Sequence, residues 1–177
     1  MNVTIRPATT EDAAGIARIH VQTWRDAYAG IVPADHLAGL SEEARASFWR
    51  QRLDEGRGVT LVVLEGDEIA GRASGGMCRD PDSPGRPEVY GIYVASSRWR
   101  RGVGRQLMAA IEGMLPCSGP VSLWVLTQNL PAIRFYEALG FSPDGLEKEV
   151  ILGGARLPEM RLRRDRQNPP GGPLRPS

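Results

Sequence analysis

The sequence predicts an α/β domain with mixed strand directions, and three observations carry that prediction. Strand-type and helix-type segments alternate along the chain, Gly66-Asp67 sits as a tight turn between two adjacent strand patterns, and a strand leads through a Gly-rich turn into a helix near residue 102. Val3-Thr4-Ile5-Arg6 alternates apolar and polar and stops at Pro7. Thr10-Glu11-Asp12 supplies cap-type residues and early acidic charge for a helix whose Ile16, Ile19, His20, Thr23 and Trp24 share one face. Gly30, Pro33 and Gly39 interrupt residues 25–40, and a second helix starts at Ser41-Glu42-Glu43, runs through Phe48, Trp49 and Leu53, and ends at Gly56 and Gly58. Residues 59–65 and 68–77 form an antiparallel pair, 79–87 a turn-rich loop and 88–94 a third strand. Val103, Leu107, Ala110, Ile111 and Met114 recur at helical spacing until Pro116. Residues 121–126 read as a strand, 131–139 as a helix with Pro131 in its first turn and Gly140 just past its end, and 147–152 with 156–163 as a hairpin about Gly153-Gly154. The order is β-α-α-β-β-β-α-β-α-β-β over a single domain, residues 1–165, followed by a flexible Pro/Gly-rich tail, 166–177.

Composition narrows the functional classes. With 177 residues, 41% hydrophobic and 24% charged, the chain has the profile of a folded domain. Its 22 basic and 21 acidic residues leave a formal charge of +1, which lacks the electrostatic footprint of a nucleic-acid binder. Lys148 is the one lysine among the basic residues. Cys78 and Cys117, with His20 and His36, make no ligand spacing, so neither a metal site nor a disulfide is expected. No apolar run reaches 18 residues and the N-terminus lacks a signal-peptide pattern, so a soluble, cytoplasmic chain without membrane contact is expected.

Two segments carry chemistry. The first runs Ser96-Ser97-Arg98-Trp99-Arg100-Arg101-Gly102-Val103-Gly104-Arg105. Unpaired N–H groups and the positive dipole end at a helix start, with glycine permitting close approach and Arg100, Arg101 and Arg105 adding charge, suit a phosphate; a plain turn with solvated arginines fits the same residues. It is neither a dinucleotide fingerprint nor a Walker loop. The second runs Leu123-Trp124-Val125-Leu126-Thr127-Gln128-Asn129, then a helix with Ala132 and Tyr136 that ends in Gly140-Phe141.

Together, in this order, these segments resemble the GCN5-related N-acetyltransferase (GNAT) superfamily, and the element order agrees from Val3 to about residue 163. The resemblance implies a mixed, largely antiparallel central sheet flanked by helices, and acetyl transfer from acetyl-CoA to a primary amine, small-molecule or peptide, with no covalent enzyme intermediate. It implies that backbone groups of Ile92, Tyr93 and Val94 meet the pantetheine and polarise the thioester carbonyl, and that Arg100, Arg101, Gly102, Val103, Gly104 and Arg105 hold the pyrophosphate. Asn129 then contacts the pantetheine arm, and Tyr136 sits near the sulfur, where a phenol of pKa about 10 can donate to a departing thiolate. An amine acceptor must first lose a proton, at about 4 to 5 kcal/mol for a lysine-like amine at pH 7. Glu88 is the candidate base, matching in position the base of the histone-acetylating branch, and strand alternation puts Glu88, Tyr90, Ile92 and Val94 on one face. Trp24, Tyr28 and Trp124 fit either the core or the acceptor site; the segment 24–30 resembles one that borders that site in small bacterial acetyltransferases. Trp99 departs from the family's usual Gln or Arg, with Arg98, Arg100 and Arg101 as compensation. A non-catalytic acyl-CoA-binding module is the alternative, and the edge of the terminal hairpin is a candidate homodimer contact.

Overall fold

A computed structural model describes residues 3–115 and 119–165, so Pro116, Cys117 and the tail expected over 166–177 lie outside the described residues. The strands are β1 (Thr4–Pro7), β2 (Val59–Glu65), β3 (Glu68–Met77), β4 (Pro87–Val94), β5 (Val121–Leu126), β6 (Ser142–Leu152) and β7 (Ala155–Arg164). They form one seven-stranded sheet in the order β1-β2-β3-β4-β5-β7-β6. Neighbours are antiparallel except β4 and β5, which are parallel and meet at a single register pair, Glu88↔Ser122. Past that rung no further register pair joins the two strands.

Among the described residues five α-helices cover the sheet. Ile16, Ile19 and Ala13 of α1 (Ala13–Ala27) pack with Trp49 of α3 (Glu42–Asp54) and with Val62 and Ile69 on one face. Leu107, Met108 and Ile111 of α4 (Val103–Met114) and Ile133 and Tyr136 of α5 (Leu130–Glu137) pack with Val89, Val94, Leu123 and Leu162 on the other. Ser41 caps α3 as expected, its side chain accepting from the Ala44 N–H at 3.2 Å. A fifth helix not expected from the sequence, α2 (Ala34–Ala38), lies between Pro33 and Gly39 and is too short to show a helical period. β6 begins five residues ahead of the expected 147, at Ser142, with a register irregularity between Pro143 and Glu147 that hides the strand alternation. No helix among the described residues is long and apolar enough to cross a membrane.

Candidate active site

The Gly-rich turn opens α4, a helix whose first turn carries no acidic residue and no side-chain cap. Gly102 is its N-cap at φ 81°, a left-handed conformation suited to glycine, and a Cβ there would stand in open space. The first N–H groups of α4 are thus without a side-chain cap beside an unobstructed glycine, which suits a pyrophosphate. Gly104 has a second reason to be glycine: a Cβ would meet the Phe135 ring of α5 at 3.1 Å. Arg98 is held in an ion pair with Glu65, so it does not stand in for the residue replaced at Trp99. Trp99 instead donates its indole N–H to the Val94 carbonyl at 2.7 Å and ties the loop to the end of β4.

β4 contains a bulge. Val89 pairs with Gly75 and Gly91 with Ser74, leaving Tyr90 without an opposite residue in β3. The extra residue reverses the alternation, which corrects the expected face. Ile92 and Val94 pack with Val89 toward α4, Tyr93 packs toward α1, and only Glu88 and Tyr90 keep to a common side, joined by Arg79, whose Cζ lies 4.3 Å from the Tyr90 ring centroid. The Tyr90 hydroxyl donates to the Met77 carbonyl at 2.7 Å.

Three tyrosines, Tyr28, Tyr93 and Tyr136, lie within electrostatic reach of one another. Burial raises the Tyr136 hydroxyl well above its ordinary value, and nearby Tyr93 adds to the rise, so Tyr136 keeps its proton. Burial does the same for Tyr28, which also feels Tyr93, Tyr136 and Glu159. Asn129 is the N-cap of α5, its Oδ1 accepting from the Ala132 N–H at 3.3 Å, which sets the helix that carries Tyr136.

Glu88 is 1% exposed, and both its oxygens accept hydrogen bonds from Arg79, one of them from the Arg79 backbone N–H at 2.9 Å. The loop 79–87 folds back over the strand and covers this carboxylate, so the candidate base is buried in an ion pair with Arg79. Glu159 escaped the sequence reading. It lies on β7 opposite Leu126, its side chain is 20% exposed, and Lys148 Nζ is 3.9 Å away. Burial pushes its carboxyl up, Lys148 and Arg79 pull it down, and Glu88 pushes it up. Only the pairing of β7 with β5 sets it beside the end of β5, so no local sequence signal reveals it. Trp24 meets Tyr28 edge-on at 5.0 Å, and both pack with Leu126 and Leu157. Trp124 is a clamp: its N–H donates to Asp80 at 2.9 Å and Lys148 Nζ sits 3.9 Å from its ring centroid. Among the described residues no group of three or more His, Cys, Asp and Glu side chains is placed to hold a metal.

The single rung between β4 and β5, the uncapped start of α4 and the buried, protonated Tyr136 fall in the segments that carry the resemblance. The pattern of the Acetyltransferase (GNAT) family matches residues 15–141. The chain is 36% identical over 163 residues to the uncharacterized N-acetyltransferase YuaI of Bacillus subtilis strain 168, covering 90% of this chain and 91% of that one. It is 30% identical over 165 residues to the L-amino acid N-acetyltransferase AaaT of Escherichia coli K12, covering 85% and 89%. The fold is similar to that of the PaiA N-acetyltransferase of Thermoplasma acidophilum, solved with coenzyme A, with TM-score 0.70 at 16% identity over 94% of this chain and 100% of that one. The chain belongs to the acetyltransferase (GNAT) family.

Proposed function

We propose that the chain transfers the acetyl group of acetyl-CoA to a primary amine by direct attack. The amine nitrogen bonds to the acetyl carbon, the carbon–sulfur bond breaks, and the sulfur leaves with a proton. Acetyl-CoA supplies the activated acyl group. This reading is supported by the single rung between β4 and β5, the buried and protonated Tyr136 hydroxyl and the uncapped start of α4. Backbone N–H groups at the β4 bulge are suited to the carbonyl oxygen as it gains charge. Tyr136 donates to the departing sulfur, and Arg100, Arg101 and Arg105 accompany the α4 N–H groups at the pyrophosphate. Glu159 takes the proton of the amine; its raised carboxyl is the better matched base, and Glu88 serves by fixing Arg79. The coenzyme A complex of PaiA and the N-acetyltransferase names of YuaI and AaaT support the donor and the reaction.

Calorimetric titration with acetyl-CoA, followed by free-thiol release across a panel of amines, tests the reading. Binding with turnover is expected, and Tyr136→Phe should lower kcat by about 10²-fold with acetyl-CoA binding retained. Binding without turnover for any amine marks a non-catalytic acyl-CoA module, and absence of binding removes the reading altogether.

A further inference from the structure

The face that α3 turns toward the sheet is unusual for a packed helix. Arg45, Trp49 and Arg52, at spacing i, i+4, i+7, share it. Trp49 is buried, Arg45 Cζ lies 5.9 Å from the Trp24 ring centroid, and Arg52 Cζ lies 5.6 Å from that of Tyr90. Beneath them Arg72 of β3 is 3% exposed, its Cζ 4.2 Å from the Trp49 centroid and 4.4 Å from that of Tyr93. Arg72 donates to Ser74 Oγ at 3.1 Å and to His20 Nδ1 at 3.2 Å, and its Nε has no hydrogen-bond partner. Neither do His20 Nε2 and Trp24 Nε1. Among the described residues none of Arg45, Arg52 and Arg72 forms an ion pair with a carboxylate.

Three like charges on one sheltered face oppose each other. Burial, reinforced by Arg52 and Arg45, holds the Arg72 guanidinium down at about 10, while Tyr93 and Tyr28 resist the fall. Every unmatched group here is a donor or a cation, and buried guanidinium groups are ordinarily matched by acids. The missing partner is an anion. The same cluster reaches toward Glu159 through packed rings: Arg72 lies against Tyr93, His20 stacks between Tyr93 and Trp24, Trp24 meets Tyr28 edge-on, and both pack with Leu126, which lies opposite Glu159.

We propose that Arg45, Arg52 and Arg72 form an anion site for the acceptor's carboxylate, so that the acceptor is an amino acid, with its carboxylate at the arginines and its amine toward Glu159. The proposal rests on the acetyl-transfer reading above. Arg45 and Arg52 are specificity-determining residues, and Arg72 is the buried charge behind them.

Free-thiol release from acetyl-CoA, measured with L-amino acids and their carboxamides as matched pairs, tests it. Both members of a pair carry the primary amine, and only one carries the anion. The acid should be used with kcat/KM about 10-fold or more above the amide, and Arg45→Gln and Arg52→Gln should each cut that ratio by about 10-fold through KM for the amine, with KM for acetyl-CoA unchanged. Equal use of acid and amide, or a ratio that neither variant changes, overturns the proposal. Should no amine release thiol, the transfer reading fails, and titration of the coenzyme A-loaded protein with the same pairs decides the anion site alone. Acid-selective binding lost in both variants supports it; binding indifferent to the carboxylate ends it.

Discussion

His20 is held on α1 between the rings of Trp24 and Tyr93, with centroids at 5.1 and 5.5 Å. Burial, then the charges of Arg72 and Arg45, hold its imidazole down at about 3, so the folded chain keeps it neutral. An unfolded histidine protonates near 6.5, so the stability tied to the neutral ring is complete above about pH 6.5 and is lost as pH falls toward the folded value. Denaturant unfolding at pH 5 should therefore give a stability about 2 kcal/mol below that at pH 7.5, and His20→Phe should remove most of that slope. A flat wild-type profile would contradict this account. Residues differ in how openly the sequence shows them. Tyr136 and Asn129 are visible because short-range spacing on one helix and its cap defines both. Glu159 and Arg72 gain their surroundings from strands far apart in the chain, and the burial of Glu88 follows from a loop that folds back over it.

Elements obey the same division. α4 is readable from its apolar period and its glycines, yet the reason for Gly104 lies on α5, where Phe135 closes against it. Gly104→Val places two methyl-bearing branches into that contact and should cost about 1 to 3 kcal/mol in thermal or urea unfolding. Gly104→Ala should cost less, because the Phe135 ring has to give by only a few tenths of an ångström. The bulge of β4 is illegible from that strand alone, since an unpaired residue exists only in relation to the register of β3. On α3 the apolar period is weak because arginines hold inward positions, so its start at Ser41 reads clearly and its buried face does not.

Across the whole molecule, one cation fastens the far half of the sheet to the loop 79–87. Arg161 of β7 is 2% exposed and donates to Asp144 at 2.7 Å, Asp82 at 2.7 Å and Asp80 at 3.1 Å. Its hydrogen bonds hold the Asp82 carboxyl down at about 2, so the contribution of that pair is present above the ordinary carboxylate range and disappears as pH falls through about 2. Arg161→Met strips the cation from the largely covered Asp80 and leaves Asp144 with Arg163 alone, and should destabilise the fold by about 3 kcal/mol in urea unfolding. A loss under about 1 kcal/mol would show that the carboxylates find water instead.

The single rung between β4 and β5 gives the sheet a mechanical character of its own. Strands β1 to β4 keep one continuous ladder and β5, β7 and β6 another, stitched together at Glu88↔Ser122. A ligand seated at that seam would bridge two ladders that otherwise share the core under α4 and α5, so its binding would add to the stability of the fold. The bound chain gains RT ln(1 + [L]/Kd), about 2.7 kcal/mol at a hundredfold excess over Kd, along the one seam where its own backbone supplies a single stitch.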